Sequence, residues 1–382
     1  MRILYVSQAR FPTEKAHGHQ IAQVCAALVR MGHDVTLVAP DVRNTVIDNP
    51  QSFYDIREKF PVRRLPVFDA LHAWWVPGFL AFAVTMWSYA AALRRFLPEH
   101  PVDLLYTRSP RLVPALLASG TPVLLELHTL PRRRPALIQH CNACRIVICL
   151  TRQMRDALVR WGVDGARVIV EGDGVHPARF HDLPPSALSR ARWGLPTDRP
   201  VIGYVGSLVT RDNIDKGVGV LLQACGLLKE RGQKVFCWII GGPRDRIVLE
   251  KKRAQGFGLL AQDVRFEGPL SGSSVPAALT ACDVCVYPAP ASDHPFFQRD
   301  TSPLKVFEYL AAGRPTVCAD IPPLKGVIDP ALVHFFPAGD GAALADAIVE
   351  ALRQPRRSEE QRRSFITHVS WDERMQRILR RL

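Results

Sequence analysis

The chain lacks the short signatures that identify many nucleotide-binding and hydrolytic enzymes. It has no Walker phosphate loop, and no Gly-x-Gly-x-x-Gly follows a strand. Gly217–Gly219 lacks the third glycine and falls inside a helical pattern. No Ser-His-Asp order can be argued, and no Asp-x-Asp metal motif is present. P-loop NTPases and dinucleotide dehydrogenases are therefore poor readings. The opening "MRILYVSQARFP" has no basic region followed by a long apolar core, so it reads as a first strand and not a signal peptide. No basic tail and no basic run interleaved with aromatics accompanies the net charge of +13. The excess is spread along the chain, with 21 Lys+Arg against 14 Asp+Glu in residues 1–178 and 28 against 22 in the rest. Nucleic acid is thus an unlikely partner, and a basic surface of this kind suits phosphorylated ligands or an anionic membrane.

Asp, Glu, Lys and Arg are also missing from residues 70–93, "ALHAWWVPGFLAFAVTMWSYAAAL", which hold three of the seven tryptophans. Pro77-Gly78 breaks this segment and leaves an apolar run of about 15 residues, roughly 22 Å as a helix. That is short of a bilayer core of about 30 Å. Two main readings stand: a buried helix plus loop in the first domain, or an interfacial patch with Trp74, Trp75 and Phe79 at headgroup level. A membrane-spanning helix is the weakest. Nine cysteines include Cys141/Cys144 and Cys282/Cys285, which have zinc-like spacing. Each pair leads directly into an apolar strand, so buried thiols in a reducing compartment are expected.

What is present is alternation. "RILYVSQ", "DVTLVAP", "VDLLYTR", "PVLLELH" and "RIVICLT" are apolar strands separated by helical patterns, which implies a parallel sheet covered on both faces. After the proline-rich residues 179–200 the pattern restarts with "VIGYVGSL", "KVFCWIIGG", "DVRFEGP", "DVCVYPA" and "PTVCA". Two Rossmann-like α/β domains facing a central cleft follow, with ligands expected at the carboxyl ends of strands. The domains are read as 1–178 and 179–355, with a closing helix in 356–382 that packs back toward the first.

Several residues fall where chemistry is expected. Gly18 lies where the first strand's loop enters a helix, a place that permits close approach of a ligand or of backbone. His128 ends the strand "PVLLELH", with Arg132, Arg133 and Arg134 close behind. Lys216 precedes the first helix of the second domain, where a lysine can pair with phosphate. In "DTSPLKVFEYLAAGRPTV", Ser302 can cap a helix, Pro303 suits its first position and Gly313 can close it. The free N–H groups of Ser302, Leu304 and Lys305 can hold a phosphate. Glu308, within two turns, can accept from a ribose diol, or else bond a backbone group or an arginine.

At these residues the chain resembles a retaining glycosyltransferase of the GT-B fold, family-4 type, over nearly its whole length. "AHGHQIAQVCAALVRMGHDVTLVAP" resembles the family's glycine turn, first helix and second strand. "EGDGVHPARF" resembles its hinge entry; "KGVGVLLQA", "IIGG", "VRFEGPL" and "ACDVCVYPA" resemble its donor domain; "SWDERMQRIL" resembles its closing helix. The family's two acids, with seven residues between them and followed by "A-x-G-x-P-V", match Asp300, Glu308 and "AAGRPTV". The resemblance implies that Glu308 binds ribose and Asp300 contacts the transferred sugar. Thr301 and Ser302 would offer backbone groups to the diphosphate, Lys216 would neutralise it, Gly18 would approach it, and His128 would lie near the reacting carbon. The family usually has glutamate where this chain has Asp300 and an arginine where it has Ser207, and its hinge acid is His176 here. Four extra residues precede Lys216, and Arg211 or Arg246 could replace the missing arginine.

The implied activity moves a sugar from a UDP- or GDP-linked donor to a lipid-linked or saccharide acceptor, with no metal or cofactor. It would take place in the cytoplasm or at the inner membrane face, in glycan or cell-envelope polysaccharide synthesis. The alternatives are a non-catalytic nucleotide-sugar-binding protein and an epimerase or phosphorylase on the same fold.

Overall fold

A computed structural model describes the chain except Ile47, Arg211, Asp212, Pro303, residues 355–357 and the side chain of Ala16. The chain forms two compact units, Met1–Asp173 with Trp371–Leu382, and Gly174–Ser370.

The first unit holds seven parallel strands: β1 (Arg2–Val6), β2 (Asp34–Asp41), β3 (Val62–Pro66), β4 (Leu104–Thr107), β5 (Val123–Leu127), β6 (Ile146–Cys149) and β7 (Val168–Val170). Their order is β3-β2-β1-β4-β5-β6-β7. Strands β4, β5 and β6 are buried throughout, as apolar strands covered on both faces must be. Period-two alternation sends Leu4 and Val6 into one core and Ile3 and Tyr5 into the other. Glu126 of β5 shares the face of Leu124, on the side of the second core. The helix Trp371–Leu379 covers that side through buried Trp371, Met375 and Ile378.

The second unit holds β8 (Val201–Val205), β9 (Phe236–Ile240), β10 (Val264–Glu267), β11 (Val284–Tyr287), β12 (Thr316–Asp320) and β13 (His334–Pro337), in the order β10-β9-β8-β11-β12-β13. The closing segment divides. The helix Glu359–His368 stays with the second unit, where Arg362 donates to the carbonyls of Phe180 and Ala311 and Phe365 packs on Phe307. Only Trp371 onward joins the first unit, fastened by Arg30 to Asp372 at 2.6 Å. All nine cysteines are buried and none is in a disulfide, and burial alone raises the pKa of Cys25 and Cys318.

Residues 70–93 do not form a buried core. A helix runs Gly78–Glu99 and buries Ala81, Thr85, Met86, Tyr89, Leu93 and Leu97. Its other side and the preceding loop are open, with Trp74 94% and Phe79 84% exposed, and Trp75 and Trp87 exposed as well. The charge-free sequence serves two faces, one for the core and one outside. Among the described residues no helix is long and apolar enough to cross a membrane.

Candidate active site

In the second unit the helix Leu304–Ala311 lies between β11 and β12 in the chain. Gly313 closes it as expected, in the left-handed region at φ +68°, and the N–H groups of Gly313 and Arg314 return to Leu310 and Tyr309. Its start differs from the expectation. The Ser302 hydroxyl is buried and makes no hydrogen bond among the described residues, so it does not cap the helix. Pro303 lies outside the described residues. A buried hydroxyl with no partner is open to a ligand.

Two half-buried lysines gather near this start. Lys305 donates to the Tyr204 hydroxyl at 3.1 Å and sits over that ring. Its extended stem fills the space at Gly206, where a Cβ would collide with it. Burial, and then the Lys216 charge, hold the Lys305 ammonium well below its ordinary pKa. Burial lowers Lys216 to about 8, and its Nζ lies 5.1 Å from the centre of the Phe296 ring. Neither lysine has a salt bridge among the described residues. Half-buried positive charge without an ion pair, opposed only in part by Glu308, favours an anion. Periodicity had shown only the backbone of Lys305. Its side chain could have been suspected from its place on the first turn of the helix.

Glu308 realises the arginine alternative. Its Oε1 is 3.4 Å from Nη1 of Arg179, which also donates to the carbonyl of Gly272. Burial raises the Glu308 carboxyl, and Arg179 and Lys305 oppose that rise. Its other oxygen has no hydrogen bond to the described residues, and the side chain is 20% exposed. Asp300 is buried and paired with Arg299 at 2.6 Å, and the Thr301 hydroxyl lies 3.2 Å from that of Tyr287. Ser207 donates its hydroxyl to the Val209 carbonyl at 2.7 Å, and so stabilises a turn instead of supplying charge. Arg211 lies outside the described residues; Arg246 has a buried Nε without a partner among them.

In the first unit, His128 follows β5 and belongs to a buried polar cluster. Its Nε2 is 2.6 Å from Glu126, and Gln20 reaches Glu126, His128 and Asp173 at 2.8–2.9 Å. Glu126, His128 and Asp173 are the one group of potential metal ligands this close together among the described residues. Arg374 already neutralises Glu126 at 2.8 Å, so the cluster has its cation.

Gly18 lies in the first turn of the helix Ala16–Arg30, and its N–H donates to the Lys15 carbonyl at 2.9 Å. The close approach it permits is internal, because a Cβ would fall on the Tyr54 hydroxyl and the Thr13 side chain. Gly18→Ala should therefore destabilise the first unit by about 1–3 kcal/mol, read as a lower urea midpoint. Arg132, Arg133 and Arg134 are exposed in the loop before the helix Pro135–Ala143.

Two Rossmann-like parallel-sheet units place the chain among proteins of the GT-B fold. It is similar to sucrose-phosphate synthase from Thermosynechococcus elongatus, with TM-score 0.73 and 18% identity, covering 100% of this chain and 98% of that one. It is also similar to Anabaena HepE in complex with UDP and glucose, with TM-score 0.71 and 16% identity over the whole of both chains. Residues 18–179 match the model Glycosyltransferase Family 4, and residues 199–354 match Glycosyl transferases group 1. The chain belongs to this glycosyltransferase family. Among curated proteins it is 28% identical, over 271 residues, to a phosphatidyl-myo-inositol mannosyltransferase of Mycobacterium leprae, covering 68% of this chain and 67% of that protein. It is 24% identical, over 395 residues, to a GDP-mannose-dependent alpha-mannosyltransferase of Mycobacterium tuberculosis, covering 97% and 93%.

Proposed function

We propose that the chain transfers a sugar, with retention of configuration and without a metal, from a nucleotide-sugar to a lipid-linked or saccharide acceptor. The observation that carries this reading is the pair of half-buried lysines, Lys216 and Lys305, near the start of the helix that bears Glu308, neither with a salt bridge among the described residues. They supply preorganised positive charge where a diphosphate would leave. Glu308 offers its unbonded oxygen to the ribose diol, Asp300 contacts the transferred sugar, and the backbone and free hydroxyl of Ser302, with Thr301 and Leu304, receive the phosphates. The acceptor hydroxyl attacks from the leaving-group face. His128, in the first unit, keeps the reaction-site role that the family resemblance implies for it. The relative named for GDP-mannose favours a GDP-linked donor, and the neighbour holding UDP keeps the uridine alternative.

Calorimetric titration with GDP and UDP tests the donor, and product analysis with and without acceptor tests the transfer. Binding of one nucleotide, followed by acceptor-dependent release of it, is expected. Failure of a folded chain to bind either would remove the donor reading.

The acceptor side rests on the open aromatic patch of Trp74, Trp75 and Phe79. Arg94 and Arg95 lie exposed farther along the same helix, and the Arg111 guanidinium is 5.6 Å from the Phe82 ring centre. A large apolar patch flanked by arginines suits an anionic lipid surface at the cytoplasmic membrane face. Each ring is worth about 1.5–3 kcal/mol when fully buried. Replacing Trp74, Trp75 and Phe79 by serine should reduce sedimentation with phosphatidylglycerol vesicles by about tenfold or more. Nucleotide binding and the far-ultraviolet circular dichroism should not change. Equal vesicle binding by the triple variant would remove the membrane role.

A further inference from the structure

His128 stands at the end of a chain of buried polar contacts that donor binding does not explain. Glu126, two residues earlier on β5, is fully buried. Its Oε1 accepts from His128 Nε2 at 2.6 Å, from Arg374 Nη2 at 2.8 Å and from Gln20 Nε2 at 2.9 Å, and its Oε2 accepts from the Tyr106 hydroxyl. Arg374 is itself buried. It arrives on the helix Trp371–Leu379, donates to the Gly172 carbonyl and lies over the Trp371 ring. This helix follows the whole second unit in the chain, so residues beyond that unit complete a polar centre in the first.

The geometry selects one form of the imidazole. A neutral ring has one N–H and one bare nitrogen. A carboxylate has no hydrogen to give, so the nitrogen that faces Glu126 must carry the proton. Gln20 could compete, but its two amide hydrogens are taken by Glu126 and by Asp173 at 2.8 Å. Nε2 is therefore the donor and Nδ1 is bare. Nδ1 makes no hydrogen bond to the described residues, and the side chain is 19% exposed. The charged groups around the ring balance in number, Arg108 and Arg374 against Glu126 and Asp173. Burial, and then Arg108, hold the imidazolium pKa below its ordinary value against Glu126 and Asp173. Glu126 stays ionised, because Arg374 and His128 outweigh the burial that would raise it.

We infer that Glu126 and Arg374 are positioning residues that fix His128 as a hydrogen-bond acceptor, with Nε2–H on Glu126 and Nδ1 bare for a saccharide hydroxyl. The hydroxyl belongs to the transferred sugar or the acceptor, so this role rests on the reading of His128 as a reaction-site residue. Arg374 acts at one remove. Without its charge, Glu126 would draw a second proton onto the ring, and that proton would occupy Nδ1 and abolish the acceptor.

The test is long-range nitrogen-15 NMR of the full chain labelled at histidine, with His128→Gln used for assignment. The wild type should show Nε2 protonated and Nδ1 bare at about pH 7. Arg374→Met should raise the His128 pKa by about 1 unit or more. Transfer by that variant should fall at neutral pH and recover as the pH rises, a rescue that simple structural damage would not give. Arg374→Lys should restore the wild-type titration. A wild-type ring protonated on Nδ1, or charged at neutral pH, overturns the inference even if every variant fails to fold. So does an unchanged titration in folded Arg374→Met. If the tautomer is as expected but His128→Ala keeps full transfer, the acceptor role falls with the reaction-site reading of His128, while donor binding at Glu308 still stands or falls by its own titration.

Discussion

Replacing Lys305 by methionine is expected to lower the turnover number about 10²–10³-fold, roughly 3–4 kcal/mol of transition-state stabilisation. Methionine keeps the length and packing of the stem against Tyr204 and Gly206 but removes the charge. The ammonium has no salt bridge among the described residues, and burial and Lys216 disfavour its charged form more than Glu308 favours it. The variant should therefore fold as well as the wild type, and its melting temperature should hold or rise. Loss of activity without loss of stability is the signature of a charge kept for its ligand. The same argument fixes a pH dependence. Lys216 has a pKa of about 8 in the free chain, lowered by burial. An arriving diphosphate raises it, so binding takes up protons. Affinity should be greatest below about pH 8 and fall as pH rises above it, because the free lysine must then first gain a proton. Titrations in buffers of different ionisation enthalpy would measure that uptake. Turnover within about threefold of wild type in Lys305→Met would remove Lys305 from the reaction.

The central strands and the helix that carries Glu308 were legible in the sequence, and the sheet edges were mostly not. Strands β4, β5, β6, β8, β9 and β11 are buried on both faces, and each reads as an apolar run, interrupted by a charged residue only at Glu126 of β5. Strands β3, β7 and β13 are edges, short and half-exposed. In β3 the exposed Arg63 and Arg64 hide the pattern altogether. At the site, Glu308 stood out as a carboxylate within two turns of the helix start, Asp300 through its match to the family's paired acids, and Gly313 by its position after an apolar helix. Their partners could not. Arg179 lies 129 residues from Glu308 in the chain, and Arg374 lies 248 residues from Glu126. Single-chain periodicity carries no information about such pairings. Glu126 was read as part of an apolar strand, and nothing local marked it as a buried carboxylate that would need an arginine. The tryptophan-rich segment was ambiguous because hydrophobicity reports a preference for apolar surroundings but not whether protein or lipid provides them.

Glu308→Ala is expected to weaken the binding of the nucleoside diphosphate about tenfold or more, a loss of roughly 1.4 kcal/mol. Loss alone would be ambiguous, because the substitution also strands Arg179 in a partly buried position. Two comparisons separate the effects. Arg179→Met removes the other half of the pair. It should change affinity by less than about threefold, since their 3.4 Å contact is long for a charged hydrogen bond. A ribose contact, moreover, has a chemical signature. The wild type should bind the 2′,3′-dideoxy nucleotide about tenfold or more weakly than the ribonucleotide, and Glu308→Ala should bind the two about equally. The interaction term of that cycle belongs to the carboxylate and the diol together, and repacking around Arg179 cancels from it. If Glu308→Ala still discriminates between the two sugars as the wild type does, the ribose lies elsewhere, and Glu308 serves to hold Arg179 on the loop at Gly272.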